Sequence, residues 1–109
     1  MPRYVTLVKY TAEALKGVRA DGYATRPAAM MALAESLGVT IESVDFMMPG
    51  EWDFVTVMGA PTVDGVLAMG SFAGATGVIE RIMTFELFSG EQMDAAIATA
   101  TPKYVPPGT

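Results

Sequence analysis

The chain has 109 residues, is 51% hydrophobic, and sets 12 acidic against 7 basic side chains for a formal charge of −5. That length supports one core and not two, and the acidic balance with scattered cations argues against nucleic acid or an anionic membrane surface as partner. With no cysteine and no histidine, disulfides, the commonest soft-metal and haem ligands and the usual neutral-pH proton shuttle are absent, so no metal and no cofactor is expected.

No apolar run reaches the roughly 20 residues of a membrane span. Met1-Pro2-Arg3-Tyr4 enters a strand pattern at once, unlike a leader segment, so a cytoplasmic protein is expected. From Arg3 to Tyr10, Val5 and Leu7 alternate with Tyr4, Thr6, Val8 and Tyr10, which predicts a strand with two largely apolar faces. Thr11 is suited to cap a short helical segment through Leu15 and Val18, interrupted at Asp21-Gly22. After Arg26-Pro27, Met30, Leu33, Ala34 and Leu37 recur at helical spacing until Gly38 ends the run.

Two strand-like runs follow, Val39 to Met48 and Trp52 to Gly59, and Pro49-Gly50 between them makes a hairpin. Ala60-Pro61-Thr62 opens a helix with an apolar stripe of Val63, Val66, Leu67, Gly70 and Ala73, where Gly70 would admit a close approach to the sheet. Val78 to Phe88 reads as a fourth strand. Ser89-Gly90-Glu91-Gln92 has the spacing of a capping box, with Phe88 and Met93 as a staple, and predicts a last helix to about Ala100. The domain therefore spans residues 1–101. Residues 102–109 form a proline-rich extended tail, either a free end or an arm laid on a partner.

The order β-α-β-β-α-β plus a helix, with right-handed crossovers, gives an α+β fold of the ferredoxin-like kind: a four-stranded antiparallel sheet with helices on one face. Helices cover only one face, yet both faces of the first and third strands are apolar. Alternation alone assigns Tyr4, Val8, Tyr10, Trp52, Phe54, Thr56 and Met58 to the uncovered side. Such a patch rivals the largest a soluble monomer tolerates. A second copy placed sheet to sheet would cover it, so a homodimer or higher homo-oligomer is expected.

The stretch Gly50-Glu51-Trp52-Asp53-Phe54-Val55 resembles the signature of the GYD domain family, with Trp52 where that family commonly has Tyr. Lys9-Tyr10-Thr11 closing the first strand, Arg26 before the long helix, Ala60-Pro61 and the terminal Phe88 of the fourth strand extend the resemblance over nearly the whole chain. It implies a dimeric α/β barrel in which two ferredoxin-like sheets enclose a cleft.

Several residues invite chemistry. Asp53 and Arg81 are the candidates for proton transfer or charge stabilisation. In the more ordinary reading Asp53 satisfies backbone donors and Arg81 forms an ion pair with Glu51 or Asp53. Tyr4, Thr6, Trp52, Phe54, Thr56 and Thr84 are the candidate ligand contacts, able to orient an apolar, oxygen-bearing compound. Trp52 is equally suited to interface packing. Glu80 and Glu86 stand roughly 20 Å apart along one strand at ~3.3 Å per residue, too far for a carboxylate dyad. No nucleophile elbow, phosphate loop or dinucleotide fingerprint occurs. Two functions follow: a homo-oligomeric binding or accessory protein with an apolar cleft between paired sheets for an apolar or aromatic small molecule, or a cofactor-independent oxygenase, isomerase or cyclase acting on an aromatic or polyketide-like compound.

Overall fold

Short polar signals start and stop the elements in the computed structural model, which describes residues 1–109. After β1 (Arg3–Tyr10), the Thr11 hydroxyl accepts the Ala14 N–H and opens α1 (Ala12–Asp21), which Gly22 ends in a positive-φ conformation. A 3-10 turn (Tyr23–Thr25) leads into α2 (Arg26–Ser36), whose early Pro27 sits where its missing N–H costs nothing. The remaining elements are β2 (Thr40–Phe46), β3 (Phe54–Gly59), α3 (Asp64–Ala75), β4 (Ile79–Leu87) and α4 (Gly90–Ala98). α4 opens on the expected reciprocal cap of Ser89 and Gln92.

The strands are antiparallel in the order β2-β3-β1-β4, the ferredoxin-like arrangement expected from the element order. The hairpin loop is longer than the sequence suggests, running from Met47 to Asp53 and closed by the Met47 N–H on the Asp53 carbonyl at 2.9 Å. α3 begins at Asp64, later than Ala60-Pro61 suggests, because the Ala60 N–H is still bonded to the Pro2 carbonyl at 3.1 Å.

The close approach of α3 falls at Gly65 and not at Gly70. A Cβ on Gly65 would lie 2.7 Å from the Leu37 carbonyl oxygen and 2.8 Å from Val39, whereas one on Gly70 meets nothing nearer than Ile82 at 3.9 Å. Seating the first turn there rotates the helix. Val66 and Met69 turn to the core while Val63 and Leu67, two members of the expected stripe, are exposed.

The facing of the sheet also differs from the alternation reading. Tyr4 and Met58 pack with Ala34 of α2 and Val66 of α3, and Val8, Tyr10 and Phe54 pack with Val18 of α1. The face assigned to solvent is therefore the one beneath the helices. Period-two alternation states which residues share a face, and here both sets were apolar enough to be the core set.

The uncovered face carries two apolar rows in register. Val57, Val5 and Phe85 form one, and Val55, Leu7 and Met83 form the next. Met83 and Phe85 are 45% and 50% exposed. The patch inferred from the sequence exists, built from the alternate residues.

Beyond β4 the chain leaves the body. Every residue from Phe88 to Thr109 is exposed, including Phe88, Met93, Ile97, Tyr104 and Val105. The radius of gyration of 17.5 Å exceeds the ~13 Å of a compact chain of this length. α4 and the tail form a projecting arm.

Candidate functional site

The helix-facing side of the sheet carries an unusual polar row. Thr56, Thr6 and Thr84 lie side by side on β3, β1 and β4, where a core would ordinarily use valine. Buried hydroxyls are costly unless paired. Thr6 and Thr84 share a hydrogen bond of 2.9 Å, and Thr56 donates to the Ser43 carbonyl at 2.9 Å. The next row, Phe54, Val8 and Ile82, is apolar.

Above these rows the helices do not close down. Ala29, Met30 and Leu33 of α2 and Met69, Gly70 and Ala73 of α3 roof a cavity of about 140 Å³ whose lining is largely hydrophobic. Gly70 widens it by contributing no side chain. The hydroxyl of a bound molecule would find acceptor oxygens on the floor, and its carbon skeleton would find methionine and leucine above, side chains that adapt to irregular shapes.

Tyr10 and Arg26 contribute to the same lining. Their Tyr10 Oη and Arg26 Nε are buried without a hydrogen-bond partner. Burial pushes the Tyr10 phenol above its ordinary value of 10.0, with Asp53 and Tyr23 adding to the rise, while the neighbouring Arg26 guanidinium opposes it. Arg26 opposes the rise through a side-chain hydrogen-bonding contact as well as through its charge, although neither Tyr10 Oη nor Arg26 Nε has a partner of good hydrogen-bond geometry. The phenol thus remains a donor at neutral pH. Tyr4 is raised as well, by burial first and by Glu86 second.

The cavity brings together Thr6, Phe54, Thr56 and Thr84 of the six candidate ligand contacts. Tyr4 lies outside its lining, in the core with Met58 and Val66. Trp52 is also outside, lying 4.9 Å beneath the Arg81 guanidinium. The cavity sits between the sheet and the helices of the single chain, a different place from the cleft expected between paired sheets.

Asp53 and Arg81 do not line the cavity. The Asp53 carboxylate accepts the Tyr10 N–H at 2.8 Å and stands 3.6 Å from Lys9 Nζ. Arg81 donates to the Glu51 carbonyl at 2.7 Å and lies 3.7 Å from the Glu51 carboxylate, so it clamps the hairpin loop. Both groups take the ordinary structural roles open to them.

Arg26 and the α2 and α3 roof escape a reading by strand alternation, because they reach the site from helices, whereas Tyr10 shares the β1 face of Thr6 and Val8. One signal does mark Arg26: it is the only basic residue between Arg19 and Arg81, at the head of an apolar helix.

A helix-covered antiparallel sheet in this strand order makes this a ferredoxin-like α+β domain, with a small apolar cavity under the helices. The GYD domain profile matches residues 4–97, a span that covers most of α4 and, but for Arg3, all four strands, and the chain belongs to the GYD domain family. No curated protein matches it. No helix is long and apolar enough to cross a membrane.

Proposed function

We propose that this GYD-domain protein is a homodimeric small-molecule-binding protein that holds a compact apolar compound between its sheet and helices α2 and α3. The observation that carries this reading is the cavity of about 140 Å³. An apolar cavity of about 150 Å³ is enough to bind benzene, so this one suits a single ring or a short branched chain. Thr6, Thr56 and Thr84 orient its polar atom, and Phe54 packs on its side. Binding is preferred to turnover because Asp53 and Arg81, the groups suited to moving a proton, are engaged away from the cavity.

Toluene is the first probe. It should shift the methyl resonances of Met30 and Met69, which line the cavity, in the intact protein. Gly70→Leu should abolish the shifts, since its side chain enters space where the nearest atom to a Cβ is 3.9 Å away. It should not lower the melting temperature, because leucine improves a helix interior over glycine by about 0.8 kcal/mol. Unaltered methyl resonances in the wild type would refute the reading.

In the same reading the dimer forms through the uncovered sheet face, and the projecting arm packs on the second copy. Deleting residues 102–109 then removes Tyr104 and Val105, both about three-quarters exposed in one subunit. The loss should be about 2 kcal/mol of dimer stability per arm. Sedimentation and thermal melting measure it, and unchanged values would make the tail a free end.

A further inference from the structure

We infer that the compound taken by this cavity carries one anionic oxygen group, a carboxylate or an enolate, held by Arg26 and Tyr10 at one end. The inference rests on the binding reading above and specifies the ligand's chemistry.

Tyr10 Oη and Arg26 Nε are the two buried side-chain polar atoms with no hydrogen-bond partner, and both residues line the cavity. Leaving a buried donor unpaired costs more than a typical hydrogen bond returns. The fold therefore keeps two donors side by side at a cost that a ligand acceptor would offset. Arg26 is the only charged residue in the lining, which contains no carboxylate. None of the ion pairs in the protein involves it. Asp21 shares a second, adjoining hollow with it and still forms no pair. A guanidinium offers a planar fork of donors matched to a carboxylate, and the neutral phenol adds another O–H.

The rest of the ligand is set by what surrounds these donors. The floor beyond them is Val8, Phe54 and Ile82, then the threonine row, so an apolar body must follow the anionic group. The volume of about 140 Å³ accommodates one ring. A monocyclic aromatic acid fits all three conditions: an anionic oxygen, a flat apolar body and small size.

The test compares benzoate with its neutral isostere benzamide and with toluene, using the full chain and the Met30 and Met69 methyl resonances. Benzoate should bind about ten- to a hundredfold more tightly than benzamide, the range a hydrogen bond to a charged group supports. Arg26→Gln should bring that ratio close to one. Tyr10→Phe should narrow it, and Arg26→Lys should retain only part of it. Equal binding of benzoate and benzamide by the wild type would overturn the anionic assignment and leave the cavity reading standing. If none of the three probes moves the methionine methyls, both fall. The wild-type ratio decides the matter even where a variant folds poorly.

Discussion

Leu7→Glu is expected to leave the chain folded and to abolish the proposed sheet-to-sheet dimer. Leu7 is at the centre of the uncovered face, paired across β1 with Val55 on one side and Met83 on the other. In a single subunit it is only half-buried, so a glutamate there meets water and costs at most about 1 kcal/mol of strand preference. In a two-fold dimer the same residue is desolvated twice, because an isologous interface uses one patch from each copy. Loss of a central apolar anchor costs about 2 kcal/mol. Two copies give about 4 kcal/mol, which is about a thousandfold in the dissociation constant. Sedimentation at micromolar concentration beside far-UV circular dichroism separates the outcomes. A dimer that survives the substitution would sink the assignment of this face.

Asp53→Ala is expected to produce the largest loss of stability among single polar substitutions. The residue joins three strands: its N–H donates to the Val8 carbonyl at 2.8 Å, its carbonyl accepts from Met47, and its carboxylate accepts from the Tyr10 N–H. The pairing of β1 with β4 shifts register between Lys9 and Tyr10, and the carboxylate serves the Tyr10 N–H at this irregularity. Alanine leaves that donor unpaired and removes the partner of Lys9, itself mostly buried. Breaking a buried pair in this way costs about 3 kcal/mol, a large share of a domain's usual 5–15 kcal/mol, as an order of magnitude. Asp53→Asn keeps an acceptor for Tyr10 and should cost about 1–2 kcal/mol. Urea unfolding of both variants measures the difference. Equal stability of Asp53→Ala and the wild type would remove Asp53 from its structural role.

Arg81 and Trp52 pack together at the hairpin loop. The guanidinium stacks over the indole and bonds the Glu51 carbonyl, so the side chains around the Gly50–Asp53 segment hold one another. Asp53 holds the strands behind them. The segment that carries the family resemblance is a brace for the hairpin, while the cavity lies under the helices.

The sequence by itself determined the local elements and the topology. Thr11 and Ser89 cap helices because a short hydroxyl side chain answers the free N–H groups beside it, whatever surrounds them. The glycines at 22 and 38 end helical runs because positive φ is open to them. Connection lengths then leave few topologies, and the strand order follows. An apolar face left over was also legible, since two faces of strong alternation cannot both lie under one helix layer.

Only the tertiary structure decided which face that is. Tyr4, Thr6 and Val8 against Val5 and Leu7 give the same period in either orientation, and the choice is made where Ala34, Val66 and Val18 meet the sheet. The candidate site was legible in the same partial sense. Thr6, Thr56 and Thr84 are grouped by strand register, so their meeting follows from pairing. Arg26 and Tyr10 meet because the start of a helix passes over the end of a strand 16 positions earlier in the chain, and no periodic pattern encodes a distance between elements. Gly65 sets the rotation of α3 through contact with the Leu37 carbonyl and Val39. The cavity exists because that packing leaves the helices short of the threonine row, a property of how volumes fit together and not of any one segment.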